Sequence, residues 1–171
     1  MTVPVVLATQ SAASTRAVAA TVAGLCVPGD VVLLSGDLGA GKTTFAQGFG
    51  RALGVSDPIT SPTFTLVRQY EVPAGPCGVR TLLHADVYRL DHLDEIADLG
   101  LGQLVEDGGV ALVEWGEAAE PVLGAGALSL LLVTDPDDEG RRTVTLAASG
   151  TSWASRWVAL AAALAPWTVG P

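Results

Sequence analysis

Val31-Val-Leu-Leu-Ser-Gly36-Asp-Leu-Gly-Ala-Gly41-Lys42-Thr43-Thr44-Phe45 is the stretch from which the fold can be read. Its first part, Val31–Leu34, is a continuous apolar run bounded by turn residues, the pattern of a strand buried on both faces of an α/β sheet. Its second part matches G-x-x-x-x-G-K-[ST] over Gly36–Thr43. Phe45, Phe49 and Leu53 then recur at helical spacing, which predicts a helix over 43–53 closed by Gly54. A glycine-rich turn between a buried strand and a helix N-terminus can point its backbone N–H groups at an anion. In such a loop Lys42 reaches the β/γ-phosphates of a nucleotide and the Thr43 hydroxyl ligates Mg2+. A lysine entering a helix N-terminus is locally unfavourable unless an anion offsets it. Lys42 is also the only lysine in the chain. Gly36, Asp37, Leu38, Gly39, Ala40, Gly41, Lys42 and Thr43 therefore form the expected phosphate-binding set.

Around this loop the pattern is that of one α/β domain over 1–171. Ser11 is a favoured cap for a helix over 12–25, which Pro28-Gly29-Asp30 follows. Residues 64–71 and 80–84 read as a hairpin whose turn carries Pro73, Gly75, Pro76 and Gly78. Asp91–Leu99 contains a short acidic helix. Val110–Val113 and Leu128–Val133 are further apolar strands, and Thr143–Leu146 alternates with period two after a turn over Asp135–Gly140. Trp153, Trp157, Leu160 and Leu164 define a last amphipathic helix that Pro166 stops, with both tryptophans as core anchors.

Composition excludes several classes. With 171 residues, 49% of them hydrophobic and 16% charged, the chain has ample core and the wrong make-up for disorder. No apolar run approaches the ~18–20 residues that span a bilayer. The apolar stretch Val3–Ala8 lacks the charged flank of a signal peptide, so a cytoplasmic location is expected, with no membrane contact. Cys26 and Cys77 stand far apart and outside any C-x-x-C pattern, which suits buried free thiols. His84 and His92 are the only histidines, too few for a His-rich zinc centre. Nine basic residues against 18 acidic ones give a net charge of −9. That balance opposes unaided nucleic-acid binding, which needs a basic surface.

A Mg2+ ion on bound phosphates needs a carboxylate near the end of a neighbouring strand. Asp86, after Leu82–Ala85, and Glu114, after Val110–Val113, both qualify, directly or through water. A GTPase is disfavoured because guanine recognition uses an Asn-Lys-x-Asp segment and the chain has no asparagine. A small-molecule or nucleoside kinase shares the loop and the strand carboxylate, and stays open as the alternative. It would add an arginine-rich lid, but Arg141-Arg142, the one paired basic site, reads more as the start of a strand than as a lid.

Four segments together resemble a known family. Gly36–Thr44, Thr60-Ser-Pro-Thr-Phe-Thr-Leu-Val67, His84-Ala-Asp-Val-Tyr-Arg-Leu90 and Leu112-Val-Glu-Trp115 are similar, in order and spacing over about residues 10–120, to the TsaE (YjeE) family. Phe64 stands where that family often has tyrosine, and Ala85 where it often has an aromatic residue. The resemblance implies a P-loop NTPase-like mixed β-sheet flanked by helices that binds and slowly hydrolyses ATP with Mg2+. It implies work as the energy-coupling component of tRNA threonylcarbamoyladenosine (adenosine 37) modification. The partners would be the threonylcarbamoyl transferase and its paralogous partner, proteins of the TsaD and TsaB type, which would make the tRNA contacts. By the same resemblance Thr44 joins the nucleotide-binding set. Thr63 lies in a loop near the γ-phosphate, and Lys42, Asp86, Glu114 and Thr63 form the catalytic group. Glu114 is favoured on the metal side with Thr43, and Asp86 near the nucleophile or the metal shell. The segment before the first helix, Thr9, Gln10 and Ser11, would pass over the base, although Ser11 equally suits a plain helix cap. Trp115, Tyr88 and Arg89 fit either the site or a structural role.

Overall fold

The computed structural model describes residues 2–73, 77–123 and 125–170. Its centre is a seven-stranded mixed sheet. The strands are β1 (Val5–Thr9), β2 (Val31–Ser35), β3 (Val67–Glu71), β4 (Thr81–Asp86), β5 (Gly109–Glu114), β6 (Leu128–Thr134) and β7 (Arg142–Ala148), in the spatial order β1-β7-β6-β2-β5-β4-β3. The inner four, β6, β2, β5 and β4, run parallel. β7 and β1 extend one side and β3 the other, all antiparallel to their neighbours. All six residues of β5 are buried, as an inner strand covered on both faces requires, whereas β7 alternates buried and half-buried residues.

Helices α1 (Ala12–Ala23), α2 (Lys42–Leu53) and α6 (Gly150–Ala163) cover one face, and α3 (Leu93–Asp98), α4 (Leu101–Glu106) and α5 (Gly116–Leu123) the other. The two cores divide the strands residue by residue. Leu82, Val110 and Leu112 join Phe45, Phe49 and Trp153 in the α1/α2/α6 core, while Leu83, Ala85, Ala111 and Val113 join Ile96 and Leu101 in the opposite core. Because side chains alternate along a strand, His84, Asp86 and Glu114 fall on the α2 side. The pleat thus sets three polar residues beside the N-terminus of α2.

The structure departs from the sequence pattern at several elements. The stretch Val3–Ala8 contributes the edge strand β1. The hairpin pairs as expected, but β3 starts at Val67, not at residue 64. The Thr65 and Leu66 amides both bond to the Pro62 carbonyl, and Leu66 has φ 64°, so this segment is a turn. Gly75 and Pro76 of the expected hairpin turn lie outside the described residues. The acidic helix is α3, and α4 and α5 follow without sequence warning. Gly100 opens α4 in the left-handed region, and α5 begins with Gly116 and contains Pro121, residues that argue against helix on propensity alone. Cys26 is buried and Cys77 half-buried, and both are free. Burial, reinforced by Asp30, pushes the Cys26 thiol pKa well up. Trp153 is fully buried and Trp157 only partly. One turn beyond Trp153's neighbour Ser152, Arg156 forms a two-pronged ion pair with buried Asp30, at 2.8 Å to each oxygen, which fastens α6 to the loop before β2. No helix among the described residues is long and apolar enough to cross a membrane.

Candidate nucleotide and metal site

The C-terminal ends of β2, β4 and β5 open on one cleft of about 410 Å³, the position where parallel α/β sheets bind ligands. The loop from Gly36 to Gly41 forms one wall. At Gly36 the backbone has φ 137°, and a Cβ would stand 2.3 Å from the Leu132 carbonyl oxygen, so only glycine fits. Gly41 caps α2 with φ 106°, and no side chain caps the helix. The amides of its first turn are therefore available to an anion.

Arg142 supports this loop from behind. Its Nε donates to the Ala40 carbonyl at 2.8 Å and Nη2 to that of Gly39 at 3.2 Å, while Nη1 reaches the Glu139 and Arg141 carbonyls. Arg141 donates to Gln10 and lies 3.8 Å from Asp135. Neither arginine lines the cleft; Arg142 begins β7, which is the strand start read from the sequence.

Lys42 is 5% exposed and folds back on its own loop. Its Nζ donates to the carbonyls of Gly36 at 2.6 Å and Asp37 at 2.9 Å and lies 4.0 Å above the Trp115 ring. Burial lowers its pKa from the ordinary lysine value, and Glu114, Glu117, Asp86 and Asp37 draw it partly back. An ammonium satisfied only by neutral carbonyls and a ring is poised for a better partner, and a phosphate oxygen is one.

Glu114 and Asp86 are register neighbours at the ends of adjacent parallel strands. Thr43 Oγ1 donates to Glu114 Oε1 at 3.0 Å, and His84 Nε2 lies 2.8 Å from the same oxygen. Asp86 is held by the Tyr88 amide at 2.9 Å on Oδ1 and by the Thr63 hydroxyl at 3.0 Å on Oδ2. Ser61 Oγ lies 2.7 Å from Thr63 Oγ1. A hydroxyl and a carboxylate side by side next to a phosphate loop are the hard oxygen donors that suit Mg2+. Among the described residues no three His, Cys, Asp or Glu side chains form a metal cage, so a Mg2+ held here would complete its shell with phosphate and water.

The cleft brings together Leu38, Gly39, Lys42, Thr43 and Thr44 of the loop with Thr63, Asp86 and Glu114. Gly36 and Asp37 contribute their carbonyls to Lys42, and Ala40 is buried behind the loop. Ser11 is elsewhere. Its hydroxyl accepts the Ser14 amide as the cap of α1, and a separate recess of about 130 Å³ behind Gly41 is bounded by Ala12, Thr15 and Gly140 instead. Trp115 lines the cleft and packs on Tyr88 with ring centroids 4.7 Å apart. Trp115 (φ 62°) and Leu66 (φ 64°) are the two non-glycine residues at positive φ among those described, and each adjoins a site segment. Such strain, roughly 1–3 kcal/mol per residue, concentrates at functional sites. Ser61 and His84 had no assigned role in the sequence, and Arg142 was weighed there only with Arg141 as a paired basic site, not as a support for the loop. Ser61 and His84 stood inside the quoted segments, whereas Arg142 reaches its loop across about a hundred residues and left no local signal.

A family profile described as "Threonylcarbamoyl adenosine biosynthesis protein TsaE" matches residues 9–144, which include every cleft residue named above. The chain belongs to the TsaE family. The TsaE of Bacillus subtilis (strain 168) is 42% identical over 139 residues, 81% of this chain and 82% of that protein. The TsaE of Streptomyces coelicolor is 43% identical over 139 residues, covering 78% and 90%. A crystal structure of Bacillus subtilis YdiB matches the fold with a TM-score of 0.71 at 32% identity, over 97% of both chains. The TsaE match reaches past residue 120, through β6 and into β7, where Arg142 buttresses the loop. In this TsaE chain Phe64 is 84% exposed, with the Arg89 guanidinium 4.7 Å from its ring, so the position keeps an aromatic surface without a phenol.

Proposed function

We propose that this TsaE chain binds ATP with Mg2+ and hydrolyses it slowly, as the energy-coupling component of tRNA threonylcarbamoyladenosine modification in the cytoplasm, with partner proteins of the TsaD and TsaB type. The observation that carries the reading is the Thr43 hydroxyl 3.0 Å from Glu114 Oε1, directly beside buried Lys42. In it, the loop amides and Lys42 bind the phosphates, Thr43 and Glu114 orient the ion, and Asp86 with Thr63 orients the attacking water. Mg2+ would neutralise charge on the phosphate oxygens. Support for a partner over the cleft comes from two exposed apolar side chains that line it, Leu38 and Tyr88, which are 92% and 61% exposed. Apolar surface grouped in this way at a site suits contact with another protein.

Phosphate release from ATP tests the reading, with and without Mg2+, and with and without the transferase complex. Slow, metal-dependent release that the complex stimulates is the expected result. Transfer of the phosphate to a nucleoside or small-molecule acceptor would favour the kinase alternative, and nucleotide binding without turnover would reduce the protein to a nucleotide-gated module.

A further inference from the structure

His84 lies outside the cleft lining, is wholly buried, and points its Nε2 at Glu114 Oε1 from 2.8 Å. Its other ring nitrogen, Nδ1, is buried with no hydrogen-bond partner among the described residues. An aliphatic side chain would fill this place, on the sheet face shared with Leu82 and Leu112, without burying a lone nitrogen. An ionised carboxylate only accepts hydrogen bonds, so the bond to Glu114 needs the proton on Nε2. The bare Nδ1 fits that tautomer, since a proton there would be a buried donor with nothing to accept it. Glu114 Oε1 therefore takes two donors, His84 and Thr43, from opposite elements of the fold. Among the described residues its Oε2 has only the longer 3.4 Å contact to Thr43 and is the oxygen left for an ion or the ion's water.

We infer that His84 is a positioning residue for the metal: it fixes the Glu114 carboxylate so that one oxygen is occupied and the other faces the ion's coordination shell. The inference rests on the Mg2+ site proposed above and deepens it. Partners that hold a metal-ligating group by hydrogen bonding commonly set metal affinity while touching no metal themselves.

Mn2+ is the probe, and its free signal in electron paramagnetic resonance reads binding to the ADP complex without any turnover. His84→Leu removes the donor. His84→Gln places an amide N–H near the position of Nε2, whereas His84→Asn places it near Nδ1 and cannot reach Glu114. The expected result is Mn2+ binding weakened about 10- to 100-fold in the Leu and Asn variants and within about threefold of wild type in Gln, with metal-free ADP affinity unchanged in all. Wild-type Mn2+ affinity in the Leu and Asn variants, or no difference between Gln and Asn, would overturn the inference. If His84→Leu does not fold, the Gln and Asn pair decides alone. If the wild-type ADP complex takes up no Mn2+, the proposed metal site itself fails, an outcome distinct from normal uptake that His84 does not affect.

Discussion

The Thr63 hydroxyl donates to Asp86 Oδ2 at 3.0 Å, joining the turn before β3 to the end of β4. The turn is seated on the same strand end by its backbone, because the Asp86 amide bonds to the Leu66 carbonyl at 2.9 Å. Thr63→Ala should accordingly slow single-turnover hydrolysis roughly 10- to 100-fold, the value of one charge-assisted hydrogen bond of about 1.5–3 kcal/mol. Thr63→Ser should stay near wild type. Equal rates for wild type and Thr63→Ala would remove Thr63 from the reacting centre.

Lys42→Ala should lower hydrolysis about 30- to 1000-fold, corresponding to roughly 2–4 kcal/mol of lost transition-state stabilisation. A pH effect follows from the same residue. Burial lowers the Lys42 pKa, so its charge is lost earlier than in an ordinary lysine as the solution becomes alkaline, and nucleotide affinity should fall with it. Bound phosphates favour the charged form and move the pKa back up. Between the two values, ADP binding should therefore take up a proton. Calorimetry at alkaline pH in two buffers of different ionisation enthalpy measures that proton, and its absence would mean that Lys42 does not face the phosphates.

Isolated, the protein should not bind tRNA tightly at about 150 mM salt. Its net charge is −9, and the structure engages several of its few cations internally: Arg156 with Asp30, Arg142 with loop carbonyls, Lys42 with the loop itself. A fluorescence titration with labelled tRNA is the check. Sub-micromolar affinity with a steep salt dependence would contradict delivery of tRNA by the partners.

Arg156→Ala should destabilise the fold without touching the cleft. It leaves Asp30, 3% exposed, without its ion-pair partner, and breaking a buried pair from one side costs about 3 kcal/mol. For a chain of this size that amounts to a Tm lower by roughly 6–12 °C. Differential scanning calorimetry reads it, and an unchanged Tm would show that α6 does not depend on the pair.

The phosphate loop, the strand before it and the helix after it were local facts. Glycine at fixed positions, one lysine and an apolar run specify them within about 25 residues, because backbone freedom, charge and burial all act at short range there. Asp86 and Glu114 could be singled out for a related reason, each ending an apolar strand. Which groups each would face could not, because that depends on which strands are neighbours. Pairing β4 in register with β5 puts the two carboxylates side by side, and parallel pairing of β5 with β2 brings Glu114 to Thr43. The Thr43–Glu114 contact spans 71 residues of chain, and no local pattern encodes it. The same holds for Arg142 behind the loop and for α4 and α5, whose Gly and Pro content is a poor helix signal that packing overrides. His84 shows the limit most clearly. Alternation along β4 could set it on the face of Leu82, but only the assembled sheet supplies the carboxylate that makes a buried imidazole there favourable.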